Sequence, residues 1–158
     1  MSEQQPANSA DLEQKPTDSF AGFISAAGTI LAISYPVLAL STGYRAIYRL
    51  FFKDGDVNVF GSTMTLVAAS CYLTATLGII MRERWGKAAW WMSVGVLGFE
   101  TFMTLLIGTL SFFYPEQIGS TAWRHFGADY GYFPLVQPIL GLLWLFNKQT
   151  MRAYGFER

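Results

Sequence analysis

The sequence predicts an all-α polytopic membrane protein, with four transmembrane helices in an antiparallel bundle and a disordered N-terminal arm. Of the 158 residues, 52% are hydrophobic and only 14% are charged, whereas soluble domains carry about 25% charged residues. The first three of its four long apolar segments contain no Lys, Arg or Asp. The alternative, a soluble helical bundle, would place a polar stripe along each helix, and these segments lack one.

The N-terminal arm comprises residues 1–19. It is polar, contains proline and has almost no large apolar side chains, so it cannot bury enough surface to offset the entropy lost on ordering. It also lacks the basic start of a signal peptide. We therefore predict a disordered cytoplasmic arm, followed by an uncleaved first span.

The transmembrane domain is predicted to cover residues 20–151, and residues 152–158 form a cytoplasmic tail. The predicted spans are residues 20–44, 57–81, 88–113 and 130–148. The first three segments have about 25 residues each, or about 37 Å of helix, which is enough to cross a hydrocarbon core of about 30 Å. The fourth segment, "YFPLVQPILGLLWLF", reaches span length only if flanking residues add a helical turn.

Orientation follows from Lys and Arg, which concentrate in cytoplasmic flanks. With four spans, both termini and the "RERWGK" connection share one side of the membrane, and that side carries seven of the 11 basic residues. The opposite side carries Arg45, Arg49, Lys53 and Arg124. We predict a multi-pass protein of the plasma membrane with both termini in the cytoplasm.

Two stretches of the sequence carry a family resemblance: "TAWRHFGADYGYFPLVQPILGLLWLF" and, earlier in the chain, "YPVLALSTGYRAIYRLF". They resemble small four-span integral membrane proteins of actinobacteria that have no assigned activity. The resemblance extends over most of the chain after the arm. It implies a four-span membrane fold and no particular function.

Glu100 is the candidate functional residue, because it is the only acidic or basic residue within the four apolar segments. It lies near the middle of the third span, where a charge costs on the order of 3 kcal/mol or more. Ser93 and Thr104 share its helical face. Since no Lys or Arg lies at the same depth, we predict a mostly neutral carboxyl group that is hydrogen-bonded to hydroxyl groups on other helices. The candidates are Tyr72, Ser70, Thr29, Ser34 and Tyr35.

Two interpretations of Glu100 remain open at this point. It is either a structural hydrogen-bond donor between helices, including those of a partner subunit, or a proton- or cation-coupling carboxylate. Intramembrane ionisable residues are candidates for the second role by default. A symmetric dimer would bring two such groups together and couple their titration.

A second candidate surface lies at the membrane interface, where it would contact lipid or a partner. Its residues are Arg45, Arg49, Tyr48, Trp123 and Arg124. Arg45 and Arg49 are four residues apart and therefore share a helical face. Aromatic and basic side chains of this kind anchor helices at the interface.

Other chemistry has little support in the sequence. One cysteine, Cys71, and one histidine, His125, exclude paired-histidine and multi-cysteine metal sites within one chain. No phosphate-binding loop or catalytic triad is readable, and the zero net charge argues against a nucleic-acid partner. We therefore predict no catalytic residues, metal or cofactor. The predicted function is a non-catalytic membrane component or accessory subunit of a larger assembly, and the alternative is a small oligomeric proton- or cation-coupled transporter or channel that uses Glu100.

Overall fold

The computed structural model describes the backbone of residues 10–156 and the side chains of residues 25–156. Every regular element in that part of the chain is helical, so the all-α prediction is confirmed there. The elements are α1 (Ala10–Phe51), α2 (Val59–Ile80), α3 (Arg82–Trp85), α4 (Lys87–Phe113), α5 (Pro115–Ile118), a 3-10 segment (Arg124–Tyr130), α6 (Phe133–Leu145) and α7 (Lys148–Ala153). Residues 1–9 of the predicted disordered arm lie outside the described part, whereas residues 10–19 form the first turns of α1.

Three helices are long and apolar enough to cross a membrane. They are the Ser25–Phe51 part of α1, the whole of α2 and the whole of α4. These three helices support the prediction of a membrane protein by their length and composition. The fourth predicted span, 130–148, contains only the 13-residue helix α6, which is about 20 Å long and shorter than a hydrocarbon core of about 30 Å.

The three long helices and the shorter α6 form an antiparallel bundle in which α1 packs on α2, α2 on α4, and α4 on α6. The contact between α6 and α1 closes the ring and is the least extensive of the four. We call the end that holds Ile80 and Lys87 the inner end, and the end that holds Phe51 and Phe113 the outer end, after the predicted orientation. Small residues bring the helices together: a Cβ atom on Gly78 of α2 would collide with Ser93 of α4.

The inner end is covered by the C-terminal residues. The indole nitrogen of Trp90 donates a hydrogen bond to the carbonyl oxygen of Leu145, at 2.9 Å. The chain then turns, forms α7, and returns towards α2, where the hydroxyl group of Tyr154 donates to the carbonyl oxygen of Gly78, at 3.2 Å. These bonds tie the residues on either side of α7 to α4 and α2.

At the outer end, residues 119–132, which we call the outer loop, enter the bundle instead of crossing over its top. The backbone N–H of Ala122 donates to Thr65 Oγ1 of α2, and that of His125 donates to Ser111 Oγ of α4. Trp123 is fully buried. Irregular backbone at membrane depth is tolerated where protein surrounds it, and helix side chains here supply the hydrogen bonds that lipid cannot.

The outer loop determines where α6 begins. The hydroxyl group of Thr104 donates to the carbonyl oxygen of Pro134, at 3.1 Å. Thr104 precedes the end of α4 by nine residues, which is about 14 Å of helix. The first turn of α6 therefore lies well below the outer end. The outer loop and α6 together extend over the depth for which the sequence predicts one helix, residues 130–148.

Candidate intramembrane site around Glu100

Glu100 is the central residue of the 27-residue helix α4, and its side chain has no exposed surface. The buried positions of this helix recur at intervals of three and four residues, as expected for the face of a helix that points into a bundle. They include Ser93, Leu97, Glu100, Thr104 and Ile107. The carboxyl group therefore points into its own bundle and is not exposed to lipid.

Two tyrosines from other helices lie near Glu100. Tyr35 of α1 and Tyr72 of α2 are fully buried, and their ring centroids lie 6.2 Å apart. Both phenols lie close enough to Glu100 to interact with it electrostatically. Tyr72 is in position to donate a hydrogen bond to the carboxyl group, although no bond of regular length and angle forms.

A fourth polar side chain, Gln137 of α6, lies at the same depth. Thr104 bonds to Pro134, and a Cβ atom on Gly141 would lie 2.8 Å from Leu97. In an antiparallel helix pair these two contacts place Gln137 level with Glu100. The Gln137 amide nitrogen donates to Ser34 Oγ, at 2.8 Å, which links α6 to α1. We call Glu100, Tyr35, Tyr72 and Gln137 the Glu100 cluster.

The oxygen atoms of the Glu100 cluster share an unusual property. Both carboxyl oxygens of Glu100, the hydroxyl oxygens of Tyr35 and Tyr72 and the amide oxygen of Gln137 are buried, and none has a hydrogen-bond partner of regular geometry within the described part of the chain. An unpaired buried polar group costs about 1–3 kcal/mol. Several such groups at the same depth therefore mark a site where an added proton or ligand would be stabilised.

The other predicted partners of Glu100 bond elsewhere. The Ser93 hydroxyl donates to the carbonyl oxygen of Ala89, and Thr104 donates to Pro134. Ser70 and Thr29 are exposed and bond within their own helices. Among the predicted hydroxyl groups, the structure brings Tyr72 and Tyr35 to Glu100, and it connects Ser34 to the cluster through Gln137.

The predicted interfacial residues separate into two environments. Arg45 donates to Ser120 Oγ and to the Tyr130 hydroxyl group, at 3.2 and 3.4 Å, and Arg49 donates to the carbonyl oxygen of Ser120. These arginines therefore hold the outer loop. Tyr48 is 48% exposed and is available to lipid or a partner.

The remaining two residues of that predicted set lie deeper. Trp123 has no exposed surface and packs edge-on against Phe99, so its indole belongs to the interior of the fold and not to its lipid-facing surface. Arg124 is half-buried, and its Nε atom has no hydrogen-bond partner within the described residues.

Sequence reasoning missed Gln137 as a member of the site. The signal was present, because Gln137 is the only amide side chain between Tyr132 and Phe146. Its depth relative to Glu100 depends on the start of α6, which tertiary contacts determine.

Proton exchange is the chemistry that a single carboxyl group flanked by two phenols supports. No group of three or more His, Cys, Asp or Glu side chains in the described residues could hold a metal ion.

Comparison with known proteins provides no further guide to the site: no family model, curated protein or solved structure matches the chain.

Proposed function

We propose that this chain is a non-catalytic integral membrane protein that binds and releases a proton at Glu100, and that it couples this step to the movement of a proton or small cation through the bundle. The observation that carries the proposal is the Glu100 cluster, in which a carboxyl group, two phenols and an amide oxygen are buried without regular hydrogen bonds.

The chemistry follows from solvation. An ionised carboxylate near the middle of a membrane costs on the order of 3 kcal/mol or more, so the resting state carries a proton on Glu100. Once deprotonated, the carboxylate requires donors, and Tyr72 and Tyr35 are buried phenols that interact with it electrostatically. Protonation and release therefore change the hydrogen bonds among α1, α2 and α4, which is the kind of two-state element that coupling requires.

The test is ion flux into liposomes that contain the purified protein. We expect a pH-dependent proton or cation flux in the wild type, a loss of at least about tenfold in Glu100→Gln, and a smaller loss in Tyr72→Phe, because the amide cannot exchange a proton while the phenol only supports the carboxylate. Glu116→Gln changes an exposed carboxyl group and is the matched control. Flux equal in wild type and Glu100→Gln would overturn the proposal.

A second candidate function, an accessory subunit of a larger assembly, is favoured by the outer half of α1. Tyr44, Tyr48 and Phe52 form a stacked row with ring centroids 6.2 and 6.5 Å apart, and Tyr44 and Phe52 are 74% and 70% exposed. Together with Ile47 they line a shallow groove of about 300 Å³. Such a row can pack against a helix of another protein.

Crosslinking in native membranes followed by mass spectrometry tests this second candidate. We expect a reproducible membrane-protein partner whose crosslinks map to the aromatic row and disappear in Tyr48→Ala. Phe102→Ala, which removes an exposed aromatic side chain from α4, should leave them unchanged. Crosslinks only between copies of this chain would argue for a homo-oligomer, and the absence of any crosslink to the row would argue against the candidate.

A further inference from the structure

A cavity lies at the inner end of the bundle, away from Glu100. It has a volume of about 530 Å³ and is lined by the inner parts of α1 and α2, the start of α3, the end of α6, and α7. This volume lies within the range of small-molecule sites, about 300–1,000 Å³. The cavity coincides with the least extensive contact of the bundle, between α1 and α6.

The wall of this inner cavity is apolar where it adjoins the bundle. Gly28 and Ala32 of α1 face Ile79 of α2 and Trp144 of α6. The absence of a side chain at Gly28 allows the indole ring to approach closely, because a Cβ atom there would lie 2.7 Å from Trp144. These four residues present apolar surface that suits a hydrocarbon group, and Ser25 and Thr29 of α1 add hydroxyl groups beside it.

The opposite end of the inner cavity is polar and charged. Arg82 and Glu83 of α3 lie at its mouth and are exposed. Thr150 of α7 also lines it; this residue is only 4% exposed, and its hydroxyl group has no hydrogen-bond partner among the described residues. A guanidinium group, a carboxylate and an unpaired buried hydroxyl group therefore line this part of the cavity. The rest of the lining combines the apolar residues named above with the polar side chains of Ser25, Thr29 and Gln149.

We propose that the inner cavity binds a zwitterionic phospholipid from the leaflet that meets the inner end of the bundle. Arg82 contacts the phosphate, Glu83 contacts the ammonium group, and the Thr150 hydroxyl group donates to a phosphate or ester oxygen. The apolar wall contacts the glycerol and the first carbons of an acyl chain. This inference does not depend on the function proposed for Glu100.

Depth and accessibility favour a lipid over a water-soluble zwitterion. Arg82 and Glu83 follow the last residue of α2, Ile80, almost directly, so their charges lie where headgroups meet a spanning helix. Ile80 lines the cavity and is 57% exposed. A ligand with a charged head and an apolar tail satisfies both ends of the cavity, whereas a soluble zwitterion satisfies only one.

Native mass spectrometry of the protein in detergent micelles provides the test. The probes are phosphatidylethanolamine, which is zwitterionic; phosphatidylglycerol, which is anionic; and free phosphoethanolamine, which has no acyl chains. We expect phosphatidylethanolamine to bind the wild type up to about tenfold more tightly than phosphatidylglycerol, because only the ammonium group of phosphatidylethanolamine can pair with Glu83. Free phosphoethanolamine should bind more weakly still.

The variants separate the roles of the two charges. Glu83→Gln should remove the preference for phosphatidylethanolamine, and Arg82→Gln should weaken binding of both lipids by about tenfold. Arg84→Gln, on the same short helix but outside the cavity lining, should change neither, and equal melting temperatures would establish that the three variants are folded. Equal affinity of the wild type for the two lipids, or an unchanged Arg82→Gln, would overturn the proposal. Tight binding of free phosphoethanolamine would assign the cavity to a soluble ligand instead.

Discussion

At the scale of single residues, the side chains of the Glu100 cluster come from α1, α2, α4 and α6, so every long helix of the bundle contributes one polar group to the same depth. Such an arrangement specifies the rotation of each helix about its axis, since turning any of them would move a polar group into lipid. The fully buried positions of Glu100, Tyr35 and Tyr72 are consistent with that constraint. A site of this kind is therefore both a functional candidate and a determinant of packing.

Gly141 provides a test of how tightly the cluster is packed. A Cβ atom at this position would lie 2.8 Å from Leu97 Cδ1 and 3.3 Å from the Tyr35 hydroxyl oxygen. Overpacking a well-packed interior costs about 1–3 kcal/mol, so Gly141→Ala should lower the melting temperature in detergent. Gly98→Ala is the matched control, since a Cβ there meets no atom within 4 Å and alanine favours the helix by up to about 1 kcal/mol. Equal melting temperatures for the two variants would contradict this account.

The sequence predicts part of the cluster and misses part of it. Glu100 is recognisable because an acid in an apolar segment is conspicuous, and Tyr72 and Tyr35 were among its predicted partners. Gln137 is not recognisable as a member of the cluster from the sequence, because its depth depends on where α6 begins. The burial of Trp123 was also unexpected: tryptophan before a span commonly marks the interface, and only the entry of the outer loop into the bundle takes its indole inside.

At the scale of elements, the outer loop is the least regular part of the described chain. His125, Phe126 and Gly127 have φ values of 46°, 61° and 84°, in the left-handed region that costs about 1–2 kcal/mol for each residue with a side chain. Contacts with the helices offset this cost: Phe126 packs against Gly108, and His125 stacks near Phe112, with ring centroids 4.6 Å apart. The strained backbone is therefore held by α4.

Gly127 should be the most sensitive glycine of the outer loop. Its φ of 84° disfavours any side chain, and a Cβ atom would lie 2.6 Å from the rigid ring of Pro134. Gly155 has the same φ of 84° but nothing within 4 Å of a Cβ, so Gly155→Ala bears the backbone cost alone, about 1–2 kcal/mol. We expect Gly127→Ala to lower the melting temperature clearly more than Gly155→Ala. The reverse order would show that Pro134 does not hold the loop.

The limits of the second and third predicted spans agree with α2 and α4 to within two residues. The first predicted span ends at residue 44, whereas α1 continues to Phe51, and the fourth contains only the short helix α6. Hydropathy identifies segments that are long and uniformly apolar, as in α2 and α4. The fourth segment is interrupted by "GADYGYFP", and its glycines and strained residues allow the chain to enter the bundle before α6 begins. Whether a buried loop replaces the outer turns of a helix depends on contacts with Thr65, Thr104 and Ser111, which are remote in sequence.

At the scale of the whole molecule, the orientation in the membrane remains a prediction from the basic residues. The structure supplies better reporter positions than the sequence did, because Gln117 and Arg84 are exposed at opposite ends of the bundle. Cys71 is buried in α2 and is the only cysteine of the sequence. Replacing it with alanine therefore leaves an introduced cysteine as the only thiol group that can be labelled.

Single-cysteine labelling tests the orientation. In a Cys71→Ala background, Gln117→Cys should react with a membrane-impermeant maleimide on intact cells, and Arg84→Cys should react only after the membrane is permeabilised. The reason is the excess of basic residues at the inner end, which favours retention in the cytoplasm. The opposite labelling pattern would reverse the orientation and would move the inner cavity to the external leaflet.

The short length of α6 has a consequence for how the chain enters the membrane during synthesis. Insertion machinery recognises apolar segments of about 20 residues, and α6 has 13. The outer loop, which precedes α6, forms hydrogen bonds with α2 and α4. Both of these helices are synthesised before α6. The last crossing should therefore be conditional on the earlier helices: residues 114–158 expressed alone should fail to insert in a glycosylation-reporter assay, and the same residues following the first three spans should insert. The fourth crossing would then be completed by assembly and not by its own hydrophobicity.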